Sequence, residues 1–221
     1  MDMVAAVKDQ IEWVEADILD VPALEEAMKG IRQVYHCAAL ISFDPRDARK
    51  MRQINQTGTE NVVNIELQSG VEKLVHVSSI AAIGRRKNGS IISEKTKWER
   101  SKFNSNYAIS KHLAEQEVWR GMAEGLDVGI VNPSVIIGSG RWDEGPLKLF
   151  KLGWKNYPFF PKGASGFVDV RDVARFMIRL MESDISGERF ILNSGNCSFK
   201  QIQFSIAEAL DRKKPYLLVS P

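Results

Sequence analysis

The sequence has few cysteines, no long apolar run and little net charge, and each shortage excludes a class of protein. Two cysteines in 221 residues cannot form the disulfide framework of a small secreted protein, so we expect the cytoplasm. No apolar run approaches the roughly 20 residues of a membrane span, and the first residues lack the apolar core of a signal peptide. A formal charge of +2 does not indicate nucleic-acid binding. The short basic run at 85–87 is interpreted as a solvated loop.

Side chains that bind metals are also sparse. His36 and Cys37 are adjacent in an apolar run that predicts a strand. Neighbouring strand side chains point to opposite faces, so these two could not easily share one ion. His76 and His112 have no companions at metal-ligand spacing. We therefore predict no metal site and structural roles for the histidines.

Short apolar runs alternate with longer helical patterns, which favours a parallel sheet covered by helices. The predicted strands are dense in Val, Ile and Leu, as strands buried on both faces should be. They are Ile11–Ala16, Val34–Ala38, Lys73–Ser78, Val128–Val131 with Val135–Ile137 beyond it, and Phe190–Asn193. The predicted helices begin after Asp20, at Pro45, at Asn106, at Asp172 and after Ser198, and end near Gly30, Gly70, Glu124, Ser183 and Lys213. This order predicts a doubly wound α/β fold.

Residues 139–166 interrupt this alternation. They contain four glycines besides Gly166 and many aromatic residues: Trp142, Phe150, Trp154, Tyr157, Phe159 and Phe160. A loop of this length inside a domain is usually a lid or a binding element. The alternative is a small irregular subdomain whose aromatic rings only pack, and both interpretations remain open.

Tyr107 and Lys111 stand four residues apart on a predicted helix, so they share one face. A phenol has a reference pKa near 10 and is a poor proton acceptor at neutral pH. A nearby ammonium favours the phenolate and lowers that pKa. The pair is therefore a candidate for acid–base chemistry, and the alternative is an unreactive pair on a helix surface.

Other candidate residues follow predicted strands, at the edge where parallel sheets bind ligands. Ser78 and Ser79 end one strand, and the small residues Ala38 and Ala39 end another. Asp17-Ile-Leu-Asp closes the first predicted strand, and Asn132-Pro-Ser-Val interrupts a later one with proline. Each feature alone is also typical of ordinary turns.

Together, in this order and spacing, these features resemble the extended short-chain dehydrogenase/reductases. The resemblance runs from Ile11 to about Lys213 and includes Asn55-x-x-Gly-Thr-x-Asn and Phe167-Val-Asp-Val-Arg-Asp-Val-Ala. Within that family the sequence is most similar to bacterial NAD-dependent epimerase/dehydratase proteins. It also resembles dihydroflavonol reductase and 3β-hydroxysteroid dehydrogenase relatives.

The resemblance implies an NAD or NADP cofactor and the interconversion of an alcohol with a ketone or aldehyde. Tyr107 would be the general acid/base, and Lys111 would lower its pKa and bind the cofactor ribose. Ser79, or failing it Ser78, would orient the substrate oxygen, and Asn55 would support a proton-relay water. Further cofactor contacts are implied for Asp17 and Ile18 at the adenine, Ala38 and Ala39 along the cofactor, and Pro133, Ser134 and Val135 at the nicotinamide.

The family's Gly-x-x-Gly-x-x-Gly loop, which holds the pyrophosphate, does not occur in the sequence. We therefore expect a Rossmann-like sheet without its first βαβ unit, with a gap or bare edge beside Val34–Ala38 because that first strand is central. The C-terminal end resembles a truncation as well. Residues 1–138 with 167–194 are predicted to form an incomplete cofactor-binding domain, and residues 139–166 with 195–221 part of a small substrate-binding region.

Two functional interpretations remain open: an oxidoreductase or a fragment of one, and a non-catalytic relative or inactive truncated gene product. A hydrolase is disfavoured because Gly163-Ala-Ser-Gly lacks the spacing of a nucleophile elbow. The aromatic residues between Trp142 and Phe160 predict a largely apolar alcohol or ketone as substrate. The resemblance further implies a homodimer through the helices at 45–70 and 106–124.

Overall fold

Four parallel strands form the central sheet of the protein in its computed structural model, which describes residues 4, 6–84, 91–143 and 145–219. The strands in these residues are β1 (Gln33–His36), β2 (Lys73–Val77), β3 (Asp127–Pro133), β4 (Val135–Ile137), β5 (Phe159–Pro161), β6 (Ala164–Asp169), β7 (Glu188–Leu192), β8 (Gly195–Ser198) and β9 (Leu217–Val219). The central sheet has the order β1-β2-β3-β7, and all its neighbours are parallel. The basic run at 85–87 lies outside the described residues.

The helices begin close to the predicted positions. They are α1 (Val21–Ala27), α2 (Ala48–Arg52), α3 (Gly58–Ser69), α4 (Asn106–Ala123), α5 (Lys148–Trp154), α6 (Val170–Met181) and α7 (Phe199–Ala209). Side-chain oxygens cap the free N–H groups of α1, α4, α6 and α7, as is usual at helix starts. Before α4, Ser105 Oγ accepts a hydrogen bond from Ala108 N at 3.1 Å. Before α7, Ser198 and Gln201 form a capping box. None of the described helices is long and apolar enough to cross a membrane.

Helices cover both faces of the central sheet, which confirms the predicted doubly wound, Rossmann-like fold. Strand side chains alternate between faces, so the inner strands β2 and β3 contribute to two separate cores. One core contains Leu74, Val128 and Ile130 against Val63 of α3 and Val118 of α4. The other contains Val75 and Val131 against Val173, Met177 and Leu180 of α6. A Cβ at Gly129 would lie 2.8 Å from Leu180 Cδ2, so glycine lets α6 pack this closely on β3.

The predicted strand Ile11–Ala16 is wrong. These residues form no ladder, and most of them are exposed. A strand needs a neighbour for its backbone N–H and C=O groups, and β1 pairs only with β2 in the described part of the chain. The sheet therefore has the bare edge that was expected beside Val34.

The segment predicted as one helix from Pro45 to Gly70 is helical throughout, but its hydrogen-bonding pattern changes along its length. A 3₁₀ turn (Pro45–Asp47) leads into α2, and a π-helical turn (Gln53–Thr57) separates α2 from α3. Gly70 ends α3 with a left-handed φ of 73°, which glycine adopts without steric cost. Such π turns are frequent at functional sites, and this one contains Asn55.

Residues 139–166 contain regular structure, with α5, β5 and the beginning of β6. Strands β4, β6 and β8 form a second sheet, and β5 pairs with β9. Helix α5 packs on α7, where a Cβ at Gly153 would lie 2.8 Å from Ile206 Cγ2. The backbone of Lys213 donates to Asn156 Oδ1 at 3.0 Å. Residues 139–166 thus contact the C-terminal segment, and the division into two domains stays a prediction.

The aromatic side chains of this region pack largely on one another. The Trp142 ring lies 5.8 Å from Phe150 and 6.4 Å from Trp154, and Phe160 lies 6.3 Å from Phe204 of α7. Aromatic pairs at these distances stabilise a fold. This packing supports the subdomain interpretation, and a role for the same rings in substrate binding stays a prediction.

Candidate active site

Ser79 and Tyr107 meet at the carboxyl end of β2. Ser79 lies two residues beyond β2, and its Oγ accepts a hydrogen bond from Ala81 N at 3.2 Å, which starts the 3₁₀ turn Ile80–Ile83. Tyr107 lies in the first turn of α4. The Ser79 hydroxyl lies near enough to the Tyr107 phenol to act on its pKa. The structure therefore brings together a phenol and a hydroxyl at the edge of the sheet where α/β proteins bind ligands.

The pKa of Tyr107 is raised above its usual value. Burial of the phenol is the main cause, and the hydrogen bond to Ser79 lowers the pKa in part. The sequence-based expectation of a lowered pKa is wrong here, because desolvation disfavours the phenolate more than the hydrogen bond favours it. At neutral pH, Tyr107 consequently holds its proton.

Lys111 is buried one helical turn beyond Tyr107, with 1% of its surface exposed. Its Nζ donates to Val77 O at 2.9 Å and lies 3.4 Å from His76 Nε2. Burial lowers the pKa of Lys111 to about 8, while the negative charge of Glu115 and the thiol of Cys37 act in the opposite direction. The lysine is thus anchored at the end of β2 through the main chain next to Ser78.

Two buried histidines, His36 and His76, lie close to Lys111. The rings of His36 and His76 are 5.0 Å apart, and His36 Nε2 lies 2.9 Å from Thr59 Oγ1. Burial, and next the charge of Lys111, lowers the pKa of His36 to about 3. The same causes, followed by the charge of His36, lower the pKa of His76 well below its usual value. Both rings are therefore neutral at neutral pH. Among the described residues, no group of three His, Cys, Asp or Glu side chains is placed to hold a metal ion.

Asn55 connects the π turn to α4. Its Nδ2 donates to Leu40 O and to Ser110 Oγ, each at 2.9 Å, and its Oδ1 accepts from Leu40 N at 2.7 Å. Ser110 in turn donates to the Tyr107 carbonyl at 2.9 Å. Both amide hydrogens of Asn55 are thus used within the protein, and the side chain braces the first turn of α4.

The residues expected at the nicotinamide and along the cofactor lie at the same edge of the sheet. Ala38 and Ala39 follow β1 and are exposed. Pro133 ends β3, Val135 begins β4, and between them Ser134 N donates to Leu192 O at 2.9 Å. In the described part of the chain, three buried polar atoms of residues in or directly after β2 and β3 have no hydrogen-bond partner: Ser78 Oγ, Ser134 Oγ and Asn132 Oδ1. Buried polar atoms are usually paired, so these atoms suit a polar ligand in the crevice.

The residues expected at the adenine lie apart from this group, against α3. The Ile18 side chain packs on Gly58, where no larger residue would fit without displacing it. Asn61 Nδ2 donates to Ile18 O at 3.0 Å. Asp17 Oδ1 accepts from Leu19 N at 2.9 Å, which forms a local turn.

The sequence did not single out Glu115 or Arg189, or assign a role to Asn132. Asn132 Nδ2 lies 2.5 Å from Glu115 Oε1 and 2.9 Å from Ser79 O. Arg189 Nη1 lies 3.2 Å from Glu115 Oε2. One sequence feature could have identified Glu115, since it follows Tyr107 and Lys111 at the same spacing of four residues.

Comparison with known proteins identifies the family. The model of the NAD dependent epimerase/dehydratase family matches residues 3–193. Sterol demethylase protein B of Methylococcus capsulatus is 29% identical over 217 residues, which cover 96% of this chain and 65% of that protein. A putative dihydroflavonol 4-reductase of Synechocystis is 31% identical over 200 residues, which cover 87% of this chain and 57% of that protein. The chain thus spans less than two thirds of the length of these curated relatives.

Solved structures show the same fold. The crystal structure of gox2253 is 29% identical, with a TM-score of 0.88, and the match covers 98% of this chain and 66% of that one. DesIV, a dTDP-glucose 4,6-dehydratase from Streptomyces venezuelae, is 20% identical with a TM-score of 0.84, and the match covers 98% of this chain and 69% of that one. Because the family model matches most of the sequence, the chain belongs to the NAD dependent epimerase/dehydratase family.

Proposed function

We propose that the chain is the catalytic part of an NAD(P)-dependent oxidoreductase that interconverts an alcohol and a ketone or aldehyde. The observation that supports this most directly is that Ser79 and Tyr107 meet at the end of β2, with Lys111 buried one turn further along the same helix and bound to the Val77 carbonyl. A non-catalytic relative would have no need to keep a buried phenol, hydroxyl and ammonium together, since burial of polar groups costs free energy.

In the direction of reduction, Tyr107 is the proton donor. Its raised pKa keeps the phenol protonated, so it can transfer a proton to the carbonyl oxygen as that oxygen gains negative charge. Ser79 orients the same oxygen with its hydroxyl. The bound cofactor supplies the hydride that the carbonyl carbon receives. The Lys111 ammonium adds positive charge beside this reaction, which favours the developing oxyanion.

The residues in the crevice fit the nicotinamide half of NAD or NADP. Lys111 would hold the ribose, and the unpaired hydroxyls of Ser78 and Ser134 would bind polar groups of the cofactor. Pro133 and Val135 would border the nicotinamide. Asp17 and Ile18 would flank the adenine, and Ala38 and Ala39 would line the path between the two ends. Asn55 would support a water near the helix start.

The relatives support this proposal. The names of the Synechocystis dihydroflavonol 4-reductase and of cinnamoyl-CoA reductase 1 of Petunia hybrida both describe reductases. DesIV and the UDP-glucose 4-epimerase of Thermus thermophilus were solved with NAD bound. We expect a largely apolar carbonyl substrate, and the reducing cytoplasm as the compartment.

The test is carbonyl-dependent oxidation of NADH or NADPH, with the cofactor at millimolar concentration so that weak binding is overcome. Tyr107→Phe removes only the phenol oxygen and should abolish turnover. Tyr35→Phe is the matched control, because Tyr35 lies on β1 with an exposed side chain, outside the proposed site. Equal turnover in Tyr107→Phe and in the unchanged protein would show that another group transfers the proton. No turnover in any protein would favour the non-catalytic interpretation.

A further inference from the structure

We propose that Glu115 and Asn132 are positioning residues that hold the Ser79 main chain against α4 and so fix the Ser79 hydroxyl beside the Tyr107 phenol. The catalytic meaning of this proposal rests on the proposed function. The geometry on which it is built does not, because it consists of contacts within the protein.

Asn132 is the bridge between the two elements. Its side chain is fully buried, and its Nδ2 lies 2.9 Å from Ser79 O and 2.5 Å from Glu115 Oε1. A main-chain carbonyl and a carboxylate both act only as acceptors. The amide must therefore present its NH₂ group to them, since the reverse orientation would place oxygen against oxygen. Both hydrogens of Asn132 are used, one on each element.

Glu115 is fixed on the helix side of this bridge. It is 1% exposed, and a buried carboxylate is costly unless it is paired and hydrogen-bonded. The pairing comes from Arg189 of β7, whose Nη1 lies 3.2 Å from Glu115 Oε2. The Arg189 guanidinium in turn lies 5.4 Å from the ring centre of Trp119. Asn132 is thus hydrogen-bonded to one carboxylate oxygen of Glu115, while Arg189 approaches the other oxygen as an ion pair without hydrogen-bond geometry.

These contacts close a ring through the active site. Tyr107, Lys111 and Glu115 are spaced four residues apart and share one face of α4. From Glu115 the ring passes through Asn132 to the Ser79 carbonyl, and the Ser79 hydroxyl completes it through its effect on the Tyr107 pKa. If Asn132 were lost, no other side-chain donor in the described part of the chain would tie the Ser79 carbonyl to α4. A displacement of reacting groups by about 1 Å can lower the rate roughly 100-fold. The ring therefore keeps the Ser79 hydroxyl aligned with the Tyr107 phenol.

The test measures the titration of Tyr107 by NMR, with the tyrosine rings labelled with ¹³C and Tyr107 assigned through Tyr107→Phe. The groups around the phenol are the Ser79 hydroxyl and the ring of Phe43, 6.2 Å away, with the charged Lys111 and Glu115 further along the helix. Ser79→Ala removes a hydrogen bond that lowers the Tyr107 pKa, so that pKa should rise.

Asn132→Leu should raise the Tyr107 pKa as well, although residue 132 does not touch the phenol. The double variant Ser79→Ala/Asn132→Leu should show no more than the rise of Ser79→Ala alone, because both changes remove the same hydrogen bond. The matched control is Asn64→Leu, which breaks a 2.7 Å contact from Arg120 of α4 to Asn64 of α3. It should leave the Tyr107 pKa unchanged.

A folded Asn132→Leu variant with the Tyr107 pKa of the unchanged protein would overturn the proposal. If Asn132→Leu does not fold, the Glu115→Gln variant is the deciding test. Asn132 and Arg189 contact different oxygens of Glu115, and glutamine has only one oxygen. A raised Tyr107 pKa in Glu115→Gln supports the proposal, and an unchanged one overturns it. The titration requires no turnover. If the Tyr107 pKa does not change in these variants, the positioning role is refuted even if the protein reduces carbonyls. If the Tyr107 pKa changes as expected, the positioning role is supported even if the protein does not reduce them.

Discussion

Replacing Glu66 by glutamine should stabilise the protein increasingly as the pH rises. Glu66 lies on α3 and is completely buried, and neither of its carboxylate oxygens has a hydrogen-bond partner in the described part of the chain. On the same helix, Val62 and Ile65 pack in an apolar cluster with Leu24 and Met28 of the α1 region. Burial raises the Glu66 pKa to about 8. The carboxyl group is therefore neutral in the folded protein at neutral pH.

The size of the effect follows from the two pKa values. In the unfolded chain the carboxyl group titrates near 4.5, and in the folded chain near 8. Between these values the folded state keeps a proton that the unfolded state releases, so the free energy of unfolding falls by about 1.4 kcal/mol per pH unit. The loss relative to pH 4.5 reaches about 2–3 kcal/mol at pH 7. Total stabilities are only about 5–15 kcal/mol, so the loss is large.

The assay is urea unfolding, followed by circular dichroism, of the unchanged protein and of Glu66→Gln between pH 4.5 and 8.5. Glutamine also buries an unpaired polar group, but that cost does not depend on pH. The difference in unfolding free energy between the two proteins should therefore grow with pH. Glu60→Gln, on the more exposed side of the same helix, controls for the loss of one carboxylate from α3. A difference that stays constant with pH for Glu66→Gln would refute the reasoning.

Three further predictions concern ligands and assembly. The 221-residue chain should bind NAD and NADP only weakly, because no Gly-x-x-Gly-x-x-Gly loop supplies donors for the pyrophosphate; a micromolar Kd in titration calorimetry would show that another segment supplies them. The full-length protein should sediment as a dimer at micromolar concentration, with α3 and α4 against their symmetry mates, and a monomer would contradict this. Trp142→Ala should raise the KM for apolar ketones by about tenfold, the effect of roughly 1.4 kcal/mol, without changing the KM for NADH; an unchanged ketone KM would place this ring outside the substrate site.

Much of the fold could be predicted because it depends on local patterns. The Val- and Ile-rich runs at β2 and β3 and the caps at Asp20 and Ser198 are features of neighbouring residues. The failure at Ile11–Ala16 has a different origin. The pattern there is typical of a strand, but a strand also needs a hydrogen-bonded neighbour, and nothing within six residues can report whether that neighbour exists.

The candidate site was predicted in its residue types and partly missed in its electrostatics. The spacing of Tyr107 and Lys111 indicated their shared face, but the direction of the Tyr107 pKa depends on how deeply the phenol is buried, which the spacing does not contain. Likewise, the connection between Glu115 and Asn132 joins two elements that are distant in sequence. Such contacts arise only when β3 and α4 have packed.

The π turn before α3 also limits how the length of this helical segment could change. An α-helix rotates by about 100° per residue, so a one-residue deletion there would turn Asn55 relative to everything that follows it. Val63 would then leave the core between the sheet and α4, and Val62 would leave the cluster with Leu24 and Met28. If Asn55 kept its contacts with Leu40 and Ser110, the core would be broken, and if the core were kept, the brace on α4 would be lost. The extra residue of the π turn lets one continuous helical segment meet both demands at once.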